Sequence, residues 1–235
     1  MAMLLQSTDL TKCYEKGKIA LDRVNITLEG GEIVGLLGTN GSGKTTFMKL
    51  AAGLLTPTSG SLVIDGNSVG IETKKVVSYL PERTYLNDWM RVSQILSFFE
   101  DFYADFDRAA AERMLTALRV PTDAKLKTLS KGMREKVQLV LVMARRAKLY
   151  LLDEPIAGVD PVAREFILKL ILENRNPDST ILISTHLISD IQPILDRYIF
   201  IRDSKLFAEG AVSEIPDGKT VEEYFKEAYK CSENL

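Results

Sequence analysis

Glu32-Ile33-Val34-Gly35-Leu36-Leu37-Gly38-Thr39-Asn40-Gly41-Ser42-Gly43-Lys44-Thr45-Thr46 joins an apolar run to a glycine-rich turn that closes on Lys-Thr. Glu32 to Leu37 reads as a buried strand feeding the turn, and Thr45 to Leu55 as a helix, with Gly53 near its end and Pro57 beyond. Strand, glycine turn and helix are the context that a phosphate loop of the form G-x-x-x-x-G-K-S/T requires. Backbone N–H groups can wrap phosphates only where no side chain blocks the approach, hence Gly38, Gly41 and Gly43. The helix directs its positive end at the same anion. Thr39, Asn40, Ser42 and Thr46 complete the candidate cradle, Lys44 supplies a point charge and the Thr45 hydroxyl can ligate Mg²⁺. The plain alternative is a tight turn that happens to carry Lys-Thr; the flanking strand and helix favour phosphate.

Two further stretches follow in order. Leu149-Tyr150-Leu151-Leu152-Asp153-Glu154 is an apolar run ending in adjacent carboxylates. Asp153 then sits at the C-terminal end of a strand, where a parallel sheet binds ligands and where a carboxylate can hold a metal ion on nucleotide oxygens. Glu154, next in line, is placed to orient and deprotonate an attacking water. Alone, Asp-Glu after a strand is an ordinary acidic loop; the glycine loop upstream gives it a purpose. Ile181-Leu182-Ile183-Ser184-Thr185-His186 is a third apolar run, ending in the only histidine of the chain. Phosphate cradle, metal carboxylate, second carboxylate and histidine in that order read as nucleotide-hydrolysing machinery.

The bulk numbers agree with such a domain. At 235 residues, 46% apolar and 26% charged, the chain suits one sizeable soluble core. A formal charge of −2 gives no global attraction to nucleic acid or anionic lipid, and no nucleic-acid partner is expected. Cys13 and Cys231 are too few and too far apart in sequence to suggest a disulfide scaffold. The stretch Met1 to Gln6 lacks the basic flank and long apolar run of a signal peptide. The most apolar candidate for a membrane span, Val137 to Leu152, is broken by Arg145, Arg146 and Lys148.

Along the chain, residues 4–30 and 61–80 alternate apolar and polar positions between turns and read as antiparallel sheet pieces, with Val76, Val77 and Tyr79 among them. Residues 84–128 are helical in pattern and rich in aromatics, from Tyr85 and Trp89 to Phe98, Phe99, Phe102, Tyr103 and Phe106. This reads as an inserted helical subdomain, with Phe98 and Phe102 assigned to its core and Tyr85 and Trp89 left open between core and surface. From Leu129, helices alternate with strands at 149–153 and 180–184, and 197–209 adds a strand pair. The expected fold is α/β: a nucleotide core with a mostly parallel sheet and an N-terminal antiparallel β subdomain (1–83 and 129–212), the helical insertion at 84–128, and a helical tail at 213–235 with a surface helix from Val221 to Leu235.

On these residues the chain resembles an ABC-type ATPase, the nucleotide-binding half of an ATP-binding-cassette transporter, over residues 4–210. The resemblance implies ATP and Mg²⁺. It makes Tyr14 the aromatic that stacks on adenine, Asp153 the metal aspartate, Glu154 the catalytic glutamate and His186 the switch histidine at the γ-phosphate. Ala157-Gly158-Val159-Asp160 is similar to the loop that crosses the family's dimer interface. Asp160 also suits an N-cap, with Pro161 at the first helical position. The signature Leu-Ser-Gly-Gly-Gln stands here as Leu129-Ser130-Lys131-Gly132-Met133, so Ser130 and Gly132 remain to reach a partner's nucleotide. This Lys-Gly-Met variant is similar to a branch of small exporter ATPases. Glu82 stands where the family offers a neutral glutamine to Mg²⁺, and its charge needs Arg83 or the metal to offset it. The resemblance further implies a homodimer or heterodimer with a second ABC ATPase, a separate membrane permease bound to the helical insertion, export, and a cytoplasmic place on the inner face of the cell membrane. A soluble relative acting in cluster assembly or another non-transport process is the competing reading.

Overall fold

A computed structural model describes residues 3–230. The chain opens with β1 (Met3–Cys13), β2 (Ile19–Val24) and β3 (Thr27–Glu29), followed by β4 (Ile33–Leu37) and helix α1 (Lys44–Ala51). Next come β5 (Ser59–Ile64), β6 (Asn67–Ser68), α2 (Ile71–Val76) and β7 (Val77–Leu80). The helices α3 (Val92–Phe102), α4 (Arg108–Ala117) and α5 (Lys131–Met143) lead to β8 (Leu149–Asp153), α6 (Pro161–Asn174), β9 (Thr180–Thr185) and α7 (Ile188–Ile191). The hairpin β10 (Arg197–Arg202) and β11 (Lys205–Ala211) precedes α8 (Val221–Lys230).

Two sheets organise these elements. One is antiparallel, in the order β2-β1-β5-β6 with β3 also on β1. The other has the order β11-β10-β4-β9-β8-β7 and is parallel except for the β10–β11 pair. The central strands are mostly apolar because both their faces are covered. Val34, Leu36, Leu149, Leu151 and Leu182 pack with Phe47 and Met48 of α1 and with the antiparallel sheet. Ile33, Leu37, Tyr150, Leu152 and Ile183 pack with α5 and α6 on the other face. Burial of a side chain such as Phe47 contributes about 1.5–3 kcal/mol. This two-sided burial fixes the register, so the strand ends present their polar residues along one edge.

The structure departs from the sequence reading at several places. Helix α1 stops at Ala51 rather than Leu55, because Gly53 takes a φ of 69° and Leu54 N–H turns back to the Lys49 carbonyl. Val77–Leu80 is not part of the antiparallel sheet; it pairs in parallel with β8 and forms an edge of the large sheet. Phe98 and Phe102 are not core residues. They are 47% and 69% exposed, one helical turn apart, with ring centroids 4.4 Å from each other. The inner face of α3 is instead Val92, Ile95, Leu96 and Phe99, a 3.6-residue stripe that leaves Phe98 and Phe102 on its flank. Tyr85 and Trp89 are also exposed.

Arg145 is no surface break in an apolar run. It is buried, donates to the carbonyls of Lys74, Lys75 and Val77, and binds both Asp105 carboxylate oxygens. Its guanidinium also lies 4.0 Å from the Tyr103 ring centroid. One side chain thereby ties the aromatic helical segment to the edge of the parallel sheet. The tail helix α8 packs inward as well, with Val221 buried and Tyr224 and Phe225 against Tyr198 and Phe200 of β10. The remainder of the expected tail, 231–235 with Cys231, and Met1-Ala2 lie outside the described residues. Among the described residues no helix is long and apolar enough to cross a membrane.

Candidate active site

The glycine loop links the end of β4 to the start of α1. Gly43 has a φ of 118°, and a Cβ there would strike the Ala20 carbonyl. A Cβ on Gly38 would likewise strike the Ile201 carbonyl and the Ser42 hydroxyl. The loop is therefore drawn tight against its surroundings by glycines that no other residue can replace without strain. Helix α1 begins with no side-chain cap and no acidic residue in its first turn, which leaves its N–H groups and positive end facing the loop. The buried Ser42 hydroxyl has no hydrogen-bond partner among the described residues.

Lys44 is buried, and its ammonium donates to the carbonyls of Gly38 and Thr39 at 2.8 and 3.1 Å. Burial lowers its pKa, while the charges of Glu154, Asp153 and Glu82 act against that drop. Thr45 Oγ1 donates to Asp153 Oδ1 at 3.1 Å, and Ser184 donates to the same oxygen. Tyr79 Oη donates to Asp153 Oδ2 at 3.4 Å. Burial pushes the Asp153 carboxyl above its usual range; the hydroxyls of Ser184 and Thr45 oppose the rise, and the charges of Glu154 and Glu82 add to it. Burial also raises the Tyr79 phenol, and the charge of Asp153 adds to that rise.

Glu154 takes a φ of 51° directly after β8, and its N–H bonds to the Ser184 carbonyl at 2.9 Å. That kink turns its side chain toward β9. Thr185 Oγ1 donates to Glu154 Oε2 at 3.0 Å, and His186 Nδ1 lies 3.0 and 3.1 Å from the two carboxylate oxygens. Tyr14 Oη and Thr46 Oγ1 are 3.3 Å apart, which anchors the aromatic ring beside the first turn of α1.

A cleft of about 400 Å³ gathers Tyr14, Asn40, Gly41, Gly43, Lys44, Thr45, Thr46, Glu82, Glu154 and His186, together with Lys18, Ala20 and Ala157. Ser130, Gly132, Asp153 and Asp160 line a neighbouring groove of about 840 Å³ that shares Glu82, Glu154 and Ala157 with the cleft. Two of these groove residues cap helices: Ser130 accepts from Met133 N–H at 3.3 Å and Asp160 from Ala163 N–H at 3.0 Å. Ser184, Thr185 and Tyr79, which hold the two carboxylates, were not singled out from the sequence. Their signal was present as hydroxyls within or at the end of apolar strands.

The residues fit a polyanion with a hard cation. A buried hydroxyl unpartnered among the described residues, an uncapped helix start and a buried ammonium all suit an anion, and the Thr45–Asp153 pair offers oxygen donors. Among the described residues no three carboxylates, imidazoles or thiols gather into a self-sufficient metal site. A cation here would share its shell with phosphate oxygens and water, as Mg²⁺ usually does.

A mostly parallel sheet, a glycine loop at a helix start and paired carboxylates at the end of β8 define a P-loop nucleotide-binding protein. The chain belongs to the ABC transporter family, which it matches over residues 21–157, and is an ATP-binding, ABC-type ATPase. It is 32% identical over 206 residues to the ABC transporter ATP-binding protein YtrB of Bacillus subtilis, covering 86% of this chain and 70% of that protein. It is 31% identical over 212 residues to the SkfA peptide export ATP-binding protein SkfE of the same organism, covering 88% of each. A solved ATP-binding subunit of an ABC transporter superposes with a TM-score of 0.86 at 28% identity, over 96% of this chain and 99% of that one.

Proposed function

We propose that this chain is the ATP-hydrolysing subunit of an export transporter, pairing with a second ABC ATPase around two ATP molecules to drive a separate membrane permease. The observation that carries the hydrolytic part is the Glu154 carboxylate, held by Thr185 and His186 at the glycine-loop cleft and next in sequence to Asp153. In this reading Gly38 to Thr46 wrap the phosphates, Lys44 spans them and Tyr14 offers its ring to adenine. Thr45, Asp153 and Glu82 are the residues that would hold Mg²⁺, which when bound neutralises charge on the phosphate oxygens. Glu154 takes the proton from the attacking water, while His186 keeps the carboxylate aimed and reaches the γ-phosphate. Ser184 and Tyr79 hold Asp153 in its orientation.

Ser130, Gly132 and Asp160 act across the pair. Gly132 supports this assignment: it lies in the first turn of α5, and a Cβ there would meet nothing within 4 Å. Among the described residues nothing calls for glycine at that position, whereas the close approach of a partner would. The exposed rings of Tyr85 and Trp89 offer the permease an aromatic anchor on the helical segment. Export draws support from the Lys-Gly-Met signature and from the likeness to SkfE, named for peptide export.

Glu154→Gln tests the reading. The amide can still bond to Thr185 and His186, so ATP binding should persist and an ATP-dependent dimer should accumulate on size exclusion. Turnover should fall about 10²–10⁴-fold with the loss of the base. Unchanged turnover would assign the base to another group. Recovery from detergent-solubilised membranes with soluble partners alone would count against the transporter role.

A further inference from the structure

Tyr229, near the end of α8, sits beside the glycine loop and does not line the cleft. Its hydroxyl donates to the Ile201 carbonyl at 2.9 Å, and that carbonyl is the atom a side chain at Gly38 would strike. Burial raises the Tyr229 phenol, and the backbone and hydroxyl of Thr39, with the charge of Arg202, act against the rise. The ring is fixed in turn. Arg202 donates to the Tyr229 carbonyl at 3.2 Å and places its guanidinium 4.9 Å from the ring centroid. Phe225 and Phe207 pack on the same ring, at centroid distances of 4.2 and 6.1 Å.

Within the loop, Lys44 holds the carbonyls of Gly38 and Thr39. A single ammonium shared between those carbonyls and an incoming triphosphate loosens its hold on the loop when the ligand binds. The contact from Tyr229 does not compete with the ligand. We infer that Tyr229 is a positioning residue for ATP, its hydroxyl bracing the Gly38–Thr39 turn from the C-terminal helix. This rests on the ATPase reading above and adds α8 to the nucleotide site.

Tyr229→Phe removes the hydroxyl and keeps the packed ring, so the fold is expected to hold. ATP affinity, read by equilibrium binding of a fluorescent ATP analogue, should fall about three- to tenfold. KM for ATP should rise in step, kcat at saturation should change less than about twofold, and the melting midpoint should stay within about 2 °C. Phe207→Ala, which trims the packing and leaves the hydroxyl, should leave affinity near the wild-type value. Wild-type affinity in Tyr229→Phe overturns the inference, as does a loss of affinity matched by an equal loss of kcat and a lower midpoint. Failure of the wild type itself to bind ATP would remove the ATPase reading and this inference together; binding by the wild type with no change in Tyr229→Phe removes the inference alone.

Discussion

Replacing Arg145 with methionine keeps most of the side-chain volume and deletes a buried charge. The guanidinium makes five hydrogen bonds, to the carbonyls of Val77 (2.7 Å), Lys75 (3.0 Å) and Lys74 (3.3 Å) and to both oxygens of Asp105 (3.0 and 3.1 Å). The Arg145 side chain is 4% exposed and that of Asp105 24%. Removing one member of a buried pair costs roughly 3–5 kcal/mol, because the other is left desolvated and unpaired. Asp105 retains some access to water, which places the expected loss near the lower end, at about 3 kcal/mol. For a chain of this length each kcal/mol moves the melting midpoint by roughly 2–4 °C, so the variant should melt about 6–12 °C lower. Lysine keeps the charge and loses the planar fork that serves Asp105 and the sheet edge together, and should recover about half of the deficit. The assay is urea denaturation followed by far-ultraviolet circular dichroism, with Asp105→Asn and the double variant completing a cycle. A coupling energy of about 1–3 kcal/mol is expected for the pair. An Arg145→Met variant within about 1 kcal/mol of wild type would refute the latch between the helical segment and the parallel sheet.

Glu82→Gln should keep ATPase activity within about threefold of wild type, since the amide oxygen can still ligate a cation and one like charge is withdrawn from Asp153. Steady-state rates across a Mg²⁺ titration check this, and a hundredfold loss would give the carboxylate a task of its own. Asp107 caps α4 through the Ala110 N–H at 2.9 Å; that bond, then Arg146, holds its carboxyl below the usual range. A lowered folded-state pKa means stability that is present above the ordinary Asp value of about 3.9 and is lost as pH falls through the lowered one. Asp107→Ala should therefore cost about 1 kcal/mol at pH 7 and less at pH 3 by urea denaturation; an equal cost at both would show that the ionised carboxylate contributes nothing.

The glycine loop, the paired carboxylates and the lone histidine were legible because each is announced by its chain neighbours: a strand before, a turn or helix after. The strand pairs and the helical segment were legible for the same reason. What escaped depends on partners far away in sequence. Arg145 looks like a polar interruption until Asp105 and the Lys74–Val77 carbonyls close around it. Phe98 and Phe102 look like core until the stripe on α3 is phased by what it packs against. Val77–Leu80 carries an alternation that suits either sheet, and only its pairing with β8 decides between them.

Ser184 and Thr185 show how narrow the gap was. β8 and β9 run parallel in step, with Leu152 opposite Ile183 and Asp153 opposite Ser184. Once those strands are taken as neighbours, two sequence runs that each end in polar residues must bring Asp153 and Glu154 to Ser184, Thr185 and His186 at one sheet edge. The missing piece was adjacency rather than chemistry. Sheet order is set by which apolar faces bury together across the whole domain, so no local stretch encodes it. The carboxylate proposed as the base and the hydroxyls bonded to its neighbour are therefore specified by the core beneath them as much as by their own identity.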